Sequence, residues 1–251
     1  MTDSCVTAIV LTLNEQRHLP DCLRSLTTLT SDMLVIDSGS TDATREIAGR
    51  LGATVVERTF TGYASQRNAG LEFATSQWIL FIDADERLTP DLACEINTIV
   101  ANDPGTYAGY WIPRKNVVCG KELRGGGWWP DYQARLIRKG HGAYNPAHEV
   151  HEIVDFDGPT GKLDHPLVHI NYETWREVLH RQRAYTIRKV QSGLVPPPRR
   201  LSYLSRPLRE IFRRFVKLKG YRDGATGLKL ALILGLEEFR GCLLARQVEE
   251  Q

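Results

Sequence analysis

Trp78-Ile79-Leu80-Phe81-Ile82-Asp83-Ala84-Asp85 is an apolar run closed abruptly by two acids. Five consecutive apolar residues read as a strand buried on both faces, whose C-terminal end opens into a crevice. Ligands of open α/β sheets bind at that edge. Two carboxylates an alternate residue apart can share one hard divalent cation, or one can hold the cation while the other accepts a hydrogen bond from a sugar hydroxyl. Alone, so short a motif equally describes solvated acids or a cap for the next helix. Its surroundings shift the balance. The run Thr7 to Leu13 leads into Asn14-Glu15, and Met33 to Ile36 leads into Asp37-Ser38-Gly39-Ser40-Thr41-Asp42, so three strands end in carboxylates.

Around these strands the pattern alternates. Helices are expected over about Gln16 to Leu29, Ala43 to Leu51 (capped by Thr41 or Asp42), Tyr63 to Ala74 and Leu88 to Val100, with Pro90 suited to a first turn. A further short strand is expected near Thr54 to Glu57. Such alternation calls for right-handed crossovers and a parallel sheet. Residues 105 to 172 change character: Gly125-Gly126-Gly127-Trp128-Trp129-Pro130 cannot form an ordinary helix, and its flanks suggest strands and loops. Trp128 and Trp129 read either as hydrophobic anchors or, in a cleft, as flat faces for sugar rings.

The ordered segments Ile9-Val10-Leu11-Thr12-Leu13-Asn14-Glu15, Val35 to Asp42, Gln66-Arg67-Asn68-Ala69-Gly70 and Asp83-Ala84-Asp85-Glu86 resemble the motifs of family 2 glycosyltransferases. The similarity continues through Arg135-Leu136-Ile137-Arg138 and Val150-His151-Glu152 into the C-terminal helices, and is nearest to the lipopolysaccharide core β-1,4-glucosyltransferases. The resemblance implies a GT-A nucleotide-sugar-binding fold, a Rossmann-like, mostly parallel sheet flanked by helices, with a C-terminal helical extension. It implies a nucleotide-sugar pocket built from Leu11, Leu13, Glu15, Asp37, Asp42, Arg67, Asp83, Ala84 and Asp85, with UDP as the favoured nucleotide. Leu11 and Leu13 stand where the family often carries Pro and an aromatic residue. Asp85, with Asp83 and His169 as further candidates, would hold a divalent cation, Mg or Mn, and packing is the equal reading for His169.

An attacking hydroxyl must lose its proton, which calls for a carboxylate or imidazole opposite the leaving group. His148-Glu149-Val150-His151-Glu152 supplies both types, and its histidines are three apart, which is not the zinc-protease spacing. Glu152 matches the subgroup's Val-His-Glu element and is the first choice of base, with Glu149 second and a solvated ion pair as the structural alternative. Arg135, Arg138 and His151 join Trp128 and Trp129 as candidate acceptor or phosphate contacts. One base without a second nucleophile implies single displacement with inversion. Asp83-x-Asp85 also fits haloacid-dehalogenase phosphatases, but Arg87 stands where they carry Thr or Val. A catalytically inactive sugar-binding protein is the other alternative.

The 251-residue chain is 42% hydrophobic and 25% charged, enough to bury a sizeable core. Its five cysteines are scattered and odd in number, which argues for reduced core residues and against a disulfide framework or zinc cluster. Residues 1 to 6 include Asp3 and lead into no signal-peptide pattern, so the cytosol is expected. The net charge of +2 conceals a division. Residues 1 to 173, the expected catalytic domain, carry 15 Lys+Arg against 23 Asp+Glu (−8); residues 174 to 251 carry 17 against 7 (+10). Without interleaved aromatic stacking motifs, that basic extension points away from nucleic acid and towards an anionic membrane surface. After Pro196-Pro197-Pro198, a helix is expected to start near Pro207 and stop at Gly220, with Arg209, Phe212, Arg213, Arg214, Phe215 and Lys217 as its membrane-facing set. Leu228 to Leu236 is too short for a confident span. Together these readings predict a hexosyltransferase passing glucose from UDP-glucose to a lipid-linked glycan such as the lipopolysaccharide inner core, or else to polyprenyl phosphate or another surface glycan. It would work on the cytoplasmic face of a bacterial inner membrane.

Overall fold

The computed structural model describes residues 5–145, 153–196 and 202–249. The chain divides into two compact units, Met1–Arg114 with Tyr132–His169, and Lys115–Asp131 with Ile170–Gln251.

In the first unit, β1 (Val6–Thr12), β2 (Met33–Asp37), β3 (Thr54–Glu57) and β4 (Trp78–Asp83) alternate with helices α1 (Leu19–Leu26), α2 (Thr44–Arg50) and α3 (Tyr63–Phe73). Short β5 (Glu86–Arg87) and helix α4 (Pro90–Ala101) follow. Further along the chain come β6 (Gly109–Val118), β7 (Lys121–Glu122), β8 (Asp131–Arg138), β9 (Gly142–Tyr144), β10 (Val154–Phe156), β11 (Thr160–Lys162) and β12 (Leu167–Tyr172), of which β7 falls in the second unit. The main sheet runs β3-β2-β1-β4-β8-β6-β12-β5. Its first four strands are parallel, and antiparallel pairing begins at β8. The parallel half is the part that apolar runs announce, because it is covered on both faces.

Alternation along β4 shows how both faces are filled. Trp78, Leu80 and Ile82 pack into one cluster with Leu19, Leu23 and Leu26 of α1 and with Leu92 and Ile96 of α4. Ile79 and Phe81 point the other way, into a cluster with Ile9, Ile36 and Tyr144. Each fully buried side chain of this size contributes about 1.5–3 kcal/mol. Helix α3 lies close on the second face because Gly70 has no side chain: a Cβ there would stand 3.1 Å from Ile9 and 3.2 Å from Ile36.

Helix α1 starts three residues later than the pattern suggests, at Leu19-Pro20, since Asn14, Glu15 and Gln16 bond to the loop after β2. Cys22 and Cys242 are buried, whereas Cys5 and Cys94 are exposed, so burial is not the common property of the cysteines.

The second unit contains α5 (Trp175–Gln191), α6 (Ser202–Phe212), a π-helical turn (Arg213–Lys217), a 3₁₀ turn (Gly220–Asp223) and α7 (Gly224–Glu249). Pro207 sits inside α6, not at its start, and the helical run ends before Gly220. The glycine-rich segment is part of this unit. Asp223 accepts hydrogen bonds from the amides of Arg124 (2.7 Å) and Gly125 (3.0 Å), and Arg214 donates to the Gly126 carbonyl at 2.9 Å. Gly125 is obligatory, because a Cβ would lie 2.1 Å from the Lys219 carbonyl oxygen. No helix among the described residues is long and apolar enough to cross a membrane.

Candidate active site

The register Thr12↔Asp37 and Leu11↔Asp83 brings the ends of β1, β2 and β4 to one edge of the sheet. Leu11 is half-buried there, Leu13 is exposed and Glu15 is half-buried. Asp37 is fully buried. Its carboxylate accepts from Thr12 Oγ1 (2.9 Å), from the Gly39 and Ser40 amides (3.1 and 2.8 Å) and from the Ser40 hydroxyl. Asp37 therefore shapes the turn after β2. The neighbouring loop is tied to it: Ser40 Oγ accepts from the Asn14 amide and Asn14 Oδ1 from the Thr41 amide, both at 2.8 Å. Asp42 accepts from the Thr44 amide at 3.0 Å, at the start of α2. The loops after β1 and β2 are thus joined through backbone and short polar side chains.

Three successive residues of α3 tie these loops to the rest of the unit. Gln66 donates to Ser38 Oγ at 3.2 Å and to the Arg58 carbonyl at 3.1 Å. Asn68 donates to the Tyr144 carbonyl and accepts from its amide, each at 2.8 Å, which pins the end of β9. Arg67, three residues before the close-packed Gly70, is buried and not an exposed helical cation. Its guanidinium sits over the rings of Phe81 and Tyr144, 5.3 and 5.5 Å from their centroids, and reaches Asp83 Oδ1 at 3.0 Å.

Asp83 is also gripped by Arg135 of β8 through both carboxylate oxygens. Burial opposes ionisation of Asp83, but the Arg135 and Arg67 guanidiniums outweigh it and hold the carboxyl well below the usual range. Glu86, fully buried, completes the cluster: it accepts from the Asp83 amide (2.9 Å), from Arg135 (2.9 Å) and from Arg114 (3.4 Å). Three guanidiniums thus face two carboxylates, a surplus of positive charge suited to a phosphate group.

Asp85, two residues on, points elsewhere. Its Oδ2 lies 3.4 Å from Nε2 of His169, which β12 places opposite Glu86. Asp85 keeps 23% of its side chain exposed and His169 only 10%. Among the described residues no three His, Cys, Asp or Glu side chains converge as a closed metal shell. A carboxylate beside an imidazole fits a divalent cation that takes its remaining ligands from diphosphate oxygens and water. Asp83, already neutralised by arginine, is the weaker donor of the two aspartates.

Two expected contacts are corrected. Arg138 is paired with Trp78 at the opposite end of β4, where it binds Asp103 and the Tyr107 carbonyl and covers the Trp78 ring at 4.6 Å. Trp128 packs edge-on to Tyr172, centroids 6.3 Å apart, within the core of the second unit, so its ring serves packing; Trp129 is half-buried. Glu149, His151 and Glu152 lie outside the described residues. Sequence reading gave no role to Glu86, Arg114, Gln66 or Asn68. Only the motifs that contain Gln66, Asn68 and Glu86 pointed to them, because their partners are remote in the chain.

The model of the glycosyl transferase family 2 domain matches residues 7–148, from β1 to just past the described end of β9. This chain belongs to glycosyl transferase family 2. Over 96% of its length it is 27% identical to LpsC, a lipopolysaccharide core biosynthesis glycosyltransferase of Rhizobium meliloti, covering 94% of that protein. It is 36% identical to an uncharacterized glycosyltransferase of Rickettsia conorii over 43% of this chain, a match that spans 38% of the Rickettsia protein. Its fold resembles that of S. aureus TarS 1-349 in complex with UDP, with a TM-score of 0.52 and 14% identity over 98% of this chain and 90% of TarS 1-349. The family 2 chain thus has the GT-A fold, a mixed α/β sheet with flanking helices, followed by C-terminal helices. Family membership sets the dehalogenase-type phosphatase aside.

Proposed function

We propose that this protein is an inverting, metal-dependent hexosyltransferase that moves glucose from UDP-glucose to a lipid-linked glycan of the lipopolysaccharide inner-core type. The observation that carries the reading is the division of labour at the end of β4. Asp83 is held ionised by Arg67 and Arg135, while Asp85 stands beside His169 with part of its carboxylate accessible. Likeness to LpsC across nearly the whole chain supports a core-glycan acceptor, and the UDP complex of TarS supports a uridine nucleotide.

A divalent ion held by Asp85 and His169 would act as a Lewis acid on the leaving diphosphate. The guanidinium surplus around Asp83 and Glu86 adds fixed positive charge without reorganisation. Asp83 is the proposed ribose contact, and the wall from Leu11 to Asp42 the proposed base pocket. Glu152, with Glu149 as alternate, takes the acceptor proton as the anomeric bond to the diphosphate breaks. The enzyme reaches its acceptor as a peripheral protein on the cytoplasmic face of the inner membrane.

Incubation of the protein with a membrane lipid extract and a panel of nucleotide sugars, with and without chelator, tests the reading by product mass and linkage. The expected product is a core glycan one hexose heavier, of inverted anomeric configuration, formed from UDP-glucose and lost on chelation. Hexose on polyprenyl phosphate would move the acceptor, and the absence of product with every donor would sink the proposal.

A further inference from the structure

On the α6–α7 hairpin, large apolar side chains lie outside. Leu204, Leu208 and Phe212 of α6 are 72, 64 and 52% exposed, and Leu228, Leu232 and Leu236 of α7 are 41, 50 and 44% exposed. Each trio recurs every fourth residue and so draws one line along its helix. The two lines share a side of the hairpin. A Cβ on Gly235 would strike Ile211 and approach the Pro207 carbonyl, and Arg206 reaches Cys242, so the helices pack antiparallel through these positions. In an antiparallel pair of right-handed helices, residues one position after the contact residues turn to the same side. Leu208 and Phe212 follow Pro207 and Ile211; Leu236 follows Gly235.

Charge is segregated in the same way. One position before the contact residues come Glu210 and Leu234, which line a cavity of about 190 Å³ on the other side together with Glu237 and Glu238. Arg213 and Arg214 are turned to that side as well, clamping Glu210 at 2.6 and 2.8 Å. Asp223 is buried. Arg209, by contrast, three residues before Phe212 on the helix, is exposed and carries no ion pair among the described residues. The hairpin therefore presents leucines flanked by Arg209 on one side and gathers its carboxylates on the other.

We infer that this face is where the protein lies on an anionic lipid surface, with the two apolar lines entering the interface and Arg209 meeting the headgroups. A second copy of the chain is the poorer occupant, because self-contact would bring neighbours of one sign together. The inference rests on the peripheral-membrane part of the proposed function and not on sugar transfer. It places the contact on both helices and excludes Arg213 and Arg214 from it.

Flotation of the intact protein with phosphatidylcholine vesicles, and with vesicles also containing phosphatidylglycerol, is the test. The wild type should float with the anionic vesicles only. Combined Leu208→Ser, Phe212→Ser, Leu232→Ser and Leu236→Ser should weaken that binding by about a hundredfold or more, since apolar burial is lost. Arg209→Gln should weaken it roughly fivefold at low salt. Lys189→Gln with Glu238→Gln, on the cavity side, should leave it unchanged. Circular dichroism and hydrolysis of soluble donor report that each variant is folded. If the wild type floats and the serine variant floats equally well, the inference falls and peripheral binding survives. If the wild type floats with no vesicle, both fall. A wild-type dimer that the serine substitutions dissociate, without flotation of either, would assign the face to a second copy.

Discussion

The end of β4 buries charge, whereas the α6–α7 hairpin exposes leucine. Arg135, Glu86 and Arg67 are nearly inaccessible at the first site, while Leu204 and Leu208 are among the most exposed apolar residues of the chain. Each region reverses the ordinary rule of burial. They differ in how the reversal is stabilised. At β4 the buried Asp83 and Glu86 carboxylates meet guanidinium groups from other segments, so removing a guanidinium takes away part of the charge that holds them ionised. On the hairpin the exposed leucines belong to none of the hydrophobic core clusters, so removing one opens no core cavity. Departures of both kinds mark surfaces shaped by something other than stability.

The largest effect expected is catalytic. Asp85→Ala should lower transfer by about three orders of magnitude or more, the scale of a lost metal anchor, with unchanged circular dichroism. Full activity in a metal-free preparation of that variant rejects the assignment. Glu152→Gln should leave donor affinity intact while turnover falls by roughly two to four orders of magnitude, the contribution of a positioned base. Unchanged turnover moves the role to Glu149 or His151.

Arg135→Met tests the buried-charge half of the comparison directly. It removes the one guanidinium that meets both Asp83 and Glu86, leaving them Arg67 and Arg114 respectively, and should cost about 3–5 kcal/mol in urea denaturation. A loss below about 1 kcal/mol would mean that water already shares the cluster. At the opposite end of β4, Asp103 is a control in acid. Burial raises its pKa, but hydrogen bonds from Arg138, the Gly105 amide and Trp78 prevail and lower it. Its stabilisation is complete above the unfolded carboxylate pKa of about 4 and is lost as pH falls through the lowered folded value. Asp103→Asn should therefore be less stable at neutral pH and show a shallower decline below pH about 4. A parallel shift at all pH values would remove Asp103 from the acid response. The smallest effect belongs to the hairpin: Leu208→Ser and Leu232→Ser should each change stability by no more than about 0.5 kcal/mol. A loss of 2 kcal/mol would show that these leucines support the fold and would end the contrast.

What was legible in the sequence follows from the range of each interaction. The apolar run from Trp78 and its closing acids announced β4 and the edge where the site lies, since burial on both faces leaves a continuous hydrophobic signature. Arg67 gave no sign that it would be buried, because its partners Phe81, Asp83 and Tyr144 come from distant segments. Arg135 and Arg138 looked equivalent, yet three residues along a strand change both face and position, by about 10 Å. Only the register of β8 on β4 tells that the first meets Asp83 and the second Asp103. The charge boundary near 173 was visible, but the inclusion of Lys115–Asp131 in the second unit depends on packing such as Asp223 on the amides of Arg124 and Gly125.

The reciprocal bonding of the loops after β1 and β2 has a thermodynamic consequence. With Asn14, Glu15 and Gln16 each donating a backbone amide to the other loop, and Thr41 and Ala43 donating back, the two segments hold each other without a ligand. Their ordering entropy is then charged to folding and not to donor capture. In the proposed nucleotide-binding role, loops arranged in advance would admit nucleotide with a small loss of chain freedom, and their amides should resist hydrogen exchange equally in the free and donor-bound protein.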